Sequence, residues 1–247
     1  MTVMKQANPR LAVFDCDGTL VNSEVNICRA MACAFAASGH EVPPVAAIRS
    51  TIGLSLNKVM QVLSPETDEP THSLLADRFK ETLFALRSKS GAVGEPLFDG
   101  VADLLCELHA AGWTLGIATG KTQRGLAQTL SMHGIGHLFS TLQTSDEHPS
   151  KPHPAMLIAA MTFVGASPGS TLLIGDSHLD MAMAHAAGVR AIGVSWGNDN
   201  PDTLRAAGAG DVAHDASELN VMIGSAYLAQ PPDVRFTERA SQERTEN

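Results

Sequence analysis

The sequence predicts an α/β protein: a doubly wound parallel sheet carrying a small helical domain inserted after its first strand. Three observations predict it. Short runs that are apolar at every position recur along the chain, the pattern of strands covered on both faces. Helical patterns lie between those runs, and this alternation makes a parallel sheet. One long stretch then breaks the alternation with helical patterns and no strand.

The first strand is Leu11–Phe14. From about residue 23 to 90 come four helical patterns, Glu24–Ser38, Pro44–Ser50, Ser55–Leu63 and Thr71–Lys89. They form the inserted domain, 23–90, and the stretch from Ser90 to Pro96, with two glycines, is its return linker and hinge. Val101, Leu104, Leu105 and Leu108 stand at helical spacing ahead of Gly112, and Leu115–Ala118 is the next strand. Leu126, Leu130 and Ile135 continue a helix, followed by a weaker strand at Leu138–Leu142. Ala155 to Phe163 is helical, Thr171–Ile174 is a strand, and the helical run Met181–Ala187 stops at Gly188. Arg190–Val194 and the weak Asp211–Ala213 complete the sheet. The core domain is therefore 1–22 with 91–230, and 231–247, polar and without apolar periodicity, is expected to be disordered.

Composition narrows the function classes. A hydrophobic content of 44% is enough for a full core, and a net charge of -9 argues against nucleic acid or an anionic membrane as partner. Cys16, Cys28, Cys33 and Cys106 have neither paired nor finger spacing and read as thiols in a reducing compartment. The N-terminal run is broken at once by Asp15, so it is neither a signal peptide nor a membrane span. A cytoplasmic monomer or homodimer is expected.

Ligands of open parallel sheets bind at the carboxyl ends of the strands, and three of the predicted strands end there in polar residues. The first runs into Asp15-Cys16-Asp17-Gly18-Thr19-Leu20, the second into Thr119-Gly120-Lys121, the third into Gly175-Asp176 with Asp180 four positions on. A lone strand-end Asp is usually a cap or turn former, but four converging carboxylates repel one another unless a cation neutralises them. All-oxygen ligation suits a hard ion, Mg²⁺ above others.

These residues resemble the motifs of the haloacid dehalogenase-like hydrolases. Phe14-Asp15-Cys16-Asp17-Gly18-Thr19-Leu20 is similar to the first, hhhDxDGTL; Thr119 matches the second, Lys151 in Ser-Lys-Pro-His-Pro the third, and Gly175-Asp176-Ser-His-Leu-Asp180 the fourth, GDxxxD. They occur in order across roughly residues 10 to 215. The insert is similar to the C1-type cap of the phosphoglycolate phosphatase-like and β-phosphoglucomutase-like branch, so the resemblance implies a Rossmann-like core with an α-helical cap.

It further implies a Mg²⁺-dependent phosphatase of a small phosphorylated metabolite, phosphoglycolate or a sugar phosphate, working through an aspartyl-phosphate. Asp15 is then the nucleophile and Asp17 the general acid and base, with a pKa raised by its carboxylate neighbours. Asp15, Asp17 (by its carbonyl), Asp176 and Asp180 surround the metal, Asp180 through water or as an orienting group. Thr119, Gly120 and Lys151 bind the phosphoryl oxygens and supply the positive side that an acidic chain needs for an anionic substrate. Lys121 is as readily a helix-start surface charge as a site residue. Glu24, Arg49, Thr51 and Gly53 are candidates for contact with the rest of the substrate, Arg49 for a carboxylate or second phosphate. Cys16 stands where relatives commonly carry Phe, Leu or Met, and is read as a small hydrophobe. The alternatives are a phosphosugar mutase of the β-phosphoglucomutase type and a catalytically weak binding protein on the same fold.

Overall fold

The computed structural model describes residues 8–90 and 94–228; the first seven residues, the middle of the return linker and the expected disordered tail at 231–247 lie outside the described residues. Six parallel strands form one sheet: β1 (Leu11–Phe14), β2 (Thr114–Thr119), β3 (Phe139–Thr144), β4 (Thr171–Gly175), β5 (Arg190–Val194) and β6 (Asp211–Ala213). Their order is β3-β2-β1-β4-β5-β6. The chain moves outward from β1 to β3 on one side, then returns to lay β4 on the other. The carboxyl end of β1 is thus the point where the order reverses, the crevice in which such sheets bind ligands.

Why β1 is apolar throughout is visible in its packing. Ala12 and Phe14 join one core cluster, with Leu104 and Leu105 of α5 (Val101–Ala110), Leu126 of α6 (Gln123–His133) and Leu219 of α10 (Ala216–Leu228). Leu11 and Val13 join the other, with Met156 of α7 (Ala155–Val164), Met181 of α8 (His178–Ala186) and Leu204 of α9 (Pro201–Ala206). Successive side chains enter opposite faces, and both faces are covered.

Between β1 and α5 lie α1 (Glu24–Ala37), α2 (Val45–Arg49), α3 (Leu56–Leu63) and α4 (Glu69–Ser90). Each overlaps the helical pattern predicted there. They share their own buried cluster, in which Met31 and Phe35 of α1 meet Ile48 of α2, Met60 of α3 and Leu75 of α4. Helices α9 and α10 have no counterpart among the predicted elements. The local signal for α9 is Asn200-Pro201: the Asn200 side chain accepts from the Asp202 and Thr203 amides, and Pro begins the first turn.

Candidate active site

Asp15 is the first residue past β1, and its amide still donates to Ile174 O, so the ladder carries its carboxyl to the sheet edge. Asp176 follows β4, the neighbouring strand, and lands beside it. Asp180 sits in the first turn of α8, where it and Ser177 cap each other: the Ser177 Oγ accepts from the Asp180 amide, and the Asp180 carboxylate from the Ser177 amide and hydroxyl. One oxygen from each of Asp15, Asp176 and Asp180 lies within 4.8 Å of the others, and all three residues are buried.

Lys151 is the single ammonium paired to this cluster among the described residues. It is itself buried, with Nζ 2.8 Å from Asp15 Oδ1 and 2.7 Å from Asp180 Oδ1. Three carboxylates against one cation leave an excess of negative charge in a desolvated place. Burial, with repulsion from Asp180 and Asp17, outweighs Lys151 and pushes Asp15 up to about 7; burial, with repulsion from Asp15 and Asp180, outweighs the hydrogen bonds from Asn198 and Thr19 and pushes Asp176 up to about 8. The Lys151 ammonium is raised despite its burial, because Asp15 and Asp180 attract it.

The Asp176 carboxylate is also aimed from behind. Thr19 Oγ1 donates to its Oδ1 at 2.9 Å, and the Asn198 amide and side chain donate to its Oδ2 at 2.8 and 2.6 Å. A Cβ added at Gly18 or Gly197 would overlap it, and Gly18 has φ +84°, so the turn after Asp15 needs glycine twice over.

Asp17 differs from its expected state. Burial alone would raise its pKa, but Lys121 Nζ lies 2.7 Å from its Oδ1 and Ser23 Oγ donates to the same atom, and together these lower it below the usual carboxylate value. The expectation of a carboxyl raised by acidic neighbours is therefore corrected. The side chain has turned from the Asp15 cluster toward a buried ammonium, so it is ionised. Lys121, which sequence left balanced between surface and site, is the partner that decides this.

Thr119 ends β2 beside Asp15's strand and is buried; its Oγ1 accepts from the Lys121 amide at 3.3 Å. Gly120 meets the helical insert directly, since a Cβ there would overlap the carbonyl oxygens of Gly53 and Leu54. The Ser55 amide donates to Ser150 Oγ at 2.8 Å, fastening the same loop one residue before Lys151. The four insert candidates separate into two places. Thr51 and Gly53 line a cavity of about 280 Å³ that also reaches Asp17, Gly120 and Lys121. Glu24 and Arg49 line another, of about 180 Å³, with Gly18, Trp196 and Asn198. There Arg49 is paired to Glu24 at 3.1 Å, so its charge is already engaged.

Cys16, between the two aspartates, is buried in the core cluster, and burial pushes its thiol up, leaving a neutral packing group. The sequence left Lys121 evenly balanced and gave no role to Ser23, Ser177 or Asn198. Ser177 had a readable sign, the Ser-x-x-Asp capping pattern; Asn198 had none, because the turn after β5 reaches Asp176 only through the sheet order.

Comparison with known proteins gives a consistent result. A family model described as haloacid dehalogenase-like hydrolase matches residues 12–194. A probable phosphatase, IndB, of Dickeya dadantii is 35% identical over 221 residues, which cover 88% of this chain and 93% of that protein. A phosphoglycolate phosphatase of Xylella fastidiosa is 32% identical over 205 residues, 81% of this chain and 88% of that one. The crystal structure of a hydrolase from Pseudomonas syringae has the same fold, with a TM-score of 0.78 at 24% identity, covering 87% of this chain and 97% of that one.

Proposed function

The chain belongs to the haloacid dehalogenase-like hydrolase family, and on that premise we propose that it is a Mg²⁺-dependent phosphatase of a small phosphorylated metabolite, with Asp15 as nucleophile. The observation that carries the reading is the placement of Asp15: buried at the reversal point of the sheet, held by Lys151, and beside Asp176 and Asp180. The donor set fits a hard dication. Three buried carboxylates face one ammonium, and the two raised carboxyls mark a place short of positive charge. Asp15 and Asp176 would hold the ion, with the Asp17 main-chain carbonyl as the third protein donor that the family pattern implies. Bound Mg²⁺ supplies the charge that keeps both carboxylates ionised and neutralises the phosphoryl oxygens. Asp180 is better described as a positioning residue, since one of its oxygens holds Lys151 and the other Ser177.

The chain's own groups then divide the work. An Asp15 carboxylate oxygen attacks phosphorus in line with the ester, forming an acyl-phosphate bond while the bond to the leaving oxygen breaks. Lys151 and Thr119 hold the non-bridging oxygens as charge builds on them. The leaving alkoxide takes a proton from Asp17. A water oxygen then attacks the same phosphorus and gives its proton back to Asp17, and the acyl-phosphate bond breaks to release phosphate and the Asp15 carboxylate. Asp17 is ionised in the substrate-free chain, so it must take up a proton from solvent as the substrate binds. A phosphate dianion competes for Lys121 and repels the Asp17 carboxylate, and both effects raise its pKa at the moment the acid is needed.

Phosphatase is the reading favoured over mutase; Arg49, the cation proposed for a second phosphate, is half-exposed and pairs with Glu24. The two relatives are named as phosphatases, which supports the same choice. No helix among the described residues is long and apolar enough to cross a membrane. The test is Asp15→Asn assayed against 4-nitrophenyl phosphate with Mg²⁺. Turnover is expected to vanish while thermal unfolding stays cooperative. Substantial Mg²⁺-dependent activity in that variant would remove Asp15 from the role.

A further inference from the structure

The cavity of about 280 Å³ begins at Asp17, Gly120 and Lys121, the side of the site that faces the departing oxygen, and runs into the helical insert. Its walls there are Ile27, Met31, Leu56, Val59, Phe79 and Phe84. These apolar walls, between which Lys80, Arg87, Lys121 and Arg124 also reach the cavity, favour a leaving group with apolar surface over a small, strongly hydrated one.

One polar group in the lining is unmatched. Arg87, on α4, is buried; its Nε donates to both Glu95 oxygens at 3.0 Å, while its Nη2 is buried with no hydrogen-bond partner among the described residues. Glu95 already balances the guanidinium charge. The spare N–H therefore calls for an acceptor oxygen rather than a second anion. Arg124, the other guanidinium at this cavity, lies over the Phe84 ring, its Cζ 5.3 Å from the ring centroid.

We propose that this cavity receives the alcohol part of the substrate, and that this alcohol is hydrophobic, of aryl-alkyl or branched-alkyl size, with one carbonyl or hydroxyl oxygen placed for Arg87. The proposal rests on the phosphatase reading and specifies its substrate class. Burial of the apolar part is the source of selectivity, and the Arg87 contact sets its orientation.

The test compares kcat/KM of the full chain with Mg²⁺ for four alkyl esters of similar intrinsic reactivity, with 4-nitrophenyl phosphate as a reference. The esters are ethyl phosphate, 2-phosphoglycolate, 2-phenylethyl phosphate and 2-(4-acetylphenyl)ethyl phosphate. Burying a phenyl group predicts a preference for 2-phenylethyl over ethyl phosphate of about 10- to 100-fold. The acetyl oxygen adds about 2- to 10-fold, a gain lost in Arg87→Lys. Ile27→Phe, which narrows the cavity with another apolar group, should collapse the phenylethyl-to-ethyl ratio, and Phe84→Ala, at a half-exposed position that tolerates truncation, should reduce it. Ethyl phosphate or 2-phosphoglycolate turned over as well as the phenylethyl ester overturns the proposal while leaving the phosphatase reading intact. So does cleavage of 4-nitrophenyl phosphate with none of the four alkyl esters. Turnover of no phosphate ester at all removes both.

Discussion

Replacing Lys151 by Met keeps the length of the side chain and removes its charge from a place with no solvent to compensate. In the native chain its Nζ lies between Asp15 Oδ1 at 2.8 Å and Asp180 Oδ1 at 2.7 Å, and the whole residue is 2% exposed. Deleting one member of a buried ion pair costs about 3–5 kcal/mol, because the partner charge is left uncompensated. For a chain of this size that is a drop in Tm of roughly 6–20 °C. The cost must depend on pH. Asp15 and Asp176 have folded pKa values of about 7 and about 8, raised above the ordinary 3.8. A raised carboxyl stabilises the fold below its unfolded pKa, and that contribution is lost as pH rises through the folded value. Without Lys151 these carboxyls hold their protons still more tightly. Urea unfolding in EDTA should therefore show a large deficit for Lys151→Met at pH 8.5 and a much smaller one at pH 5.5, where protons stand in for the lost ammonium. Equal deficits at both pH values, or none at pH 8.5, would refute the picture of an undercompensated buried cluster. Turnover should fall by at least about 100-fold, as for loss of one preorganised charge on the transferring group.

The same cluster predicts that Mg²⁺ and protons compete: stabilisation by Mg²⁺, about 2.7 kcal/mol at a hundred times Kd, should be clear at pH 8.5 and nearly absent at pH 5.5. A thermal-shift titration that gives the same Mg²⁺ increment at both pH values contradicts this. Gly197→Ala places a methyl group against the Asp176 side chain and the Gly18 carbonyl oxygen, at a backbone with no positive φ. Calorimetric titration should show Mg²⁺ affinity lowered by about 10- to 100-fold with cooperative folding kept, and an unchanged affinity would mean that Asp176 is not a ligand. Asp17→Asn should lose about 10²- to 10⁴-fold in rate on an alkyl phosphate and far less on 4-nitrophenyl phosphate. Equal losses on the two esters would exclude the acid role.

Much of the architecture could be read directly. β1 is apolar at all four positions because both faces are covered, and that condition writes itself into consecutive residues. The insert helices were legible for the complementary reason: an amphipathic helix repeats its apolar face every three to four residues, and α1, α3 and α4 do so around their shared cluster. Helix α10 was not legible, since its mixture of small, polar and aliphatic residues marks no boundary until it packs on α5 and the sheet.

The site divides along a similar line. Asp15 and Asp176 were identifiable in sequence because each stands just past the end of a strand whose pattern is local, and Lys151 because it lies in Ser-Lys-Pro-His-Pro, the stretch that resembles the family's third motif. What no local pattern contains is the charge environment. The state of Asp17 follows from Lys121, more than a hundred residues away, and from a hydroxyl six residues on that folds back onto it. The aim of Asp176 follows from Asn198, and the hydrocarbon lining beside Asp17 from helices that meet only when the insert lies over the sheet. Residue type and spacing determine which chemistry this chain can hold, because bond-forming groups must be particular side chains at strand ends. Proton positions, compensating charges and the shape left for a substrate are properties of distance and burial, and only the tertiary structure decides those.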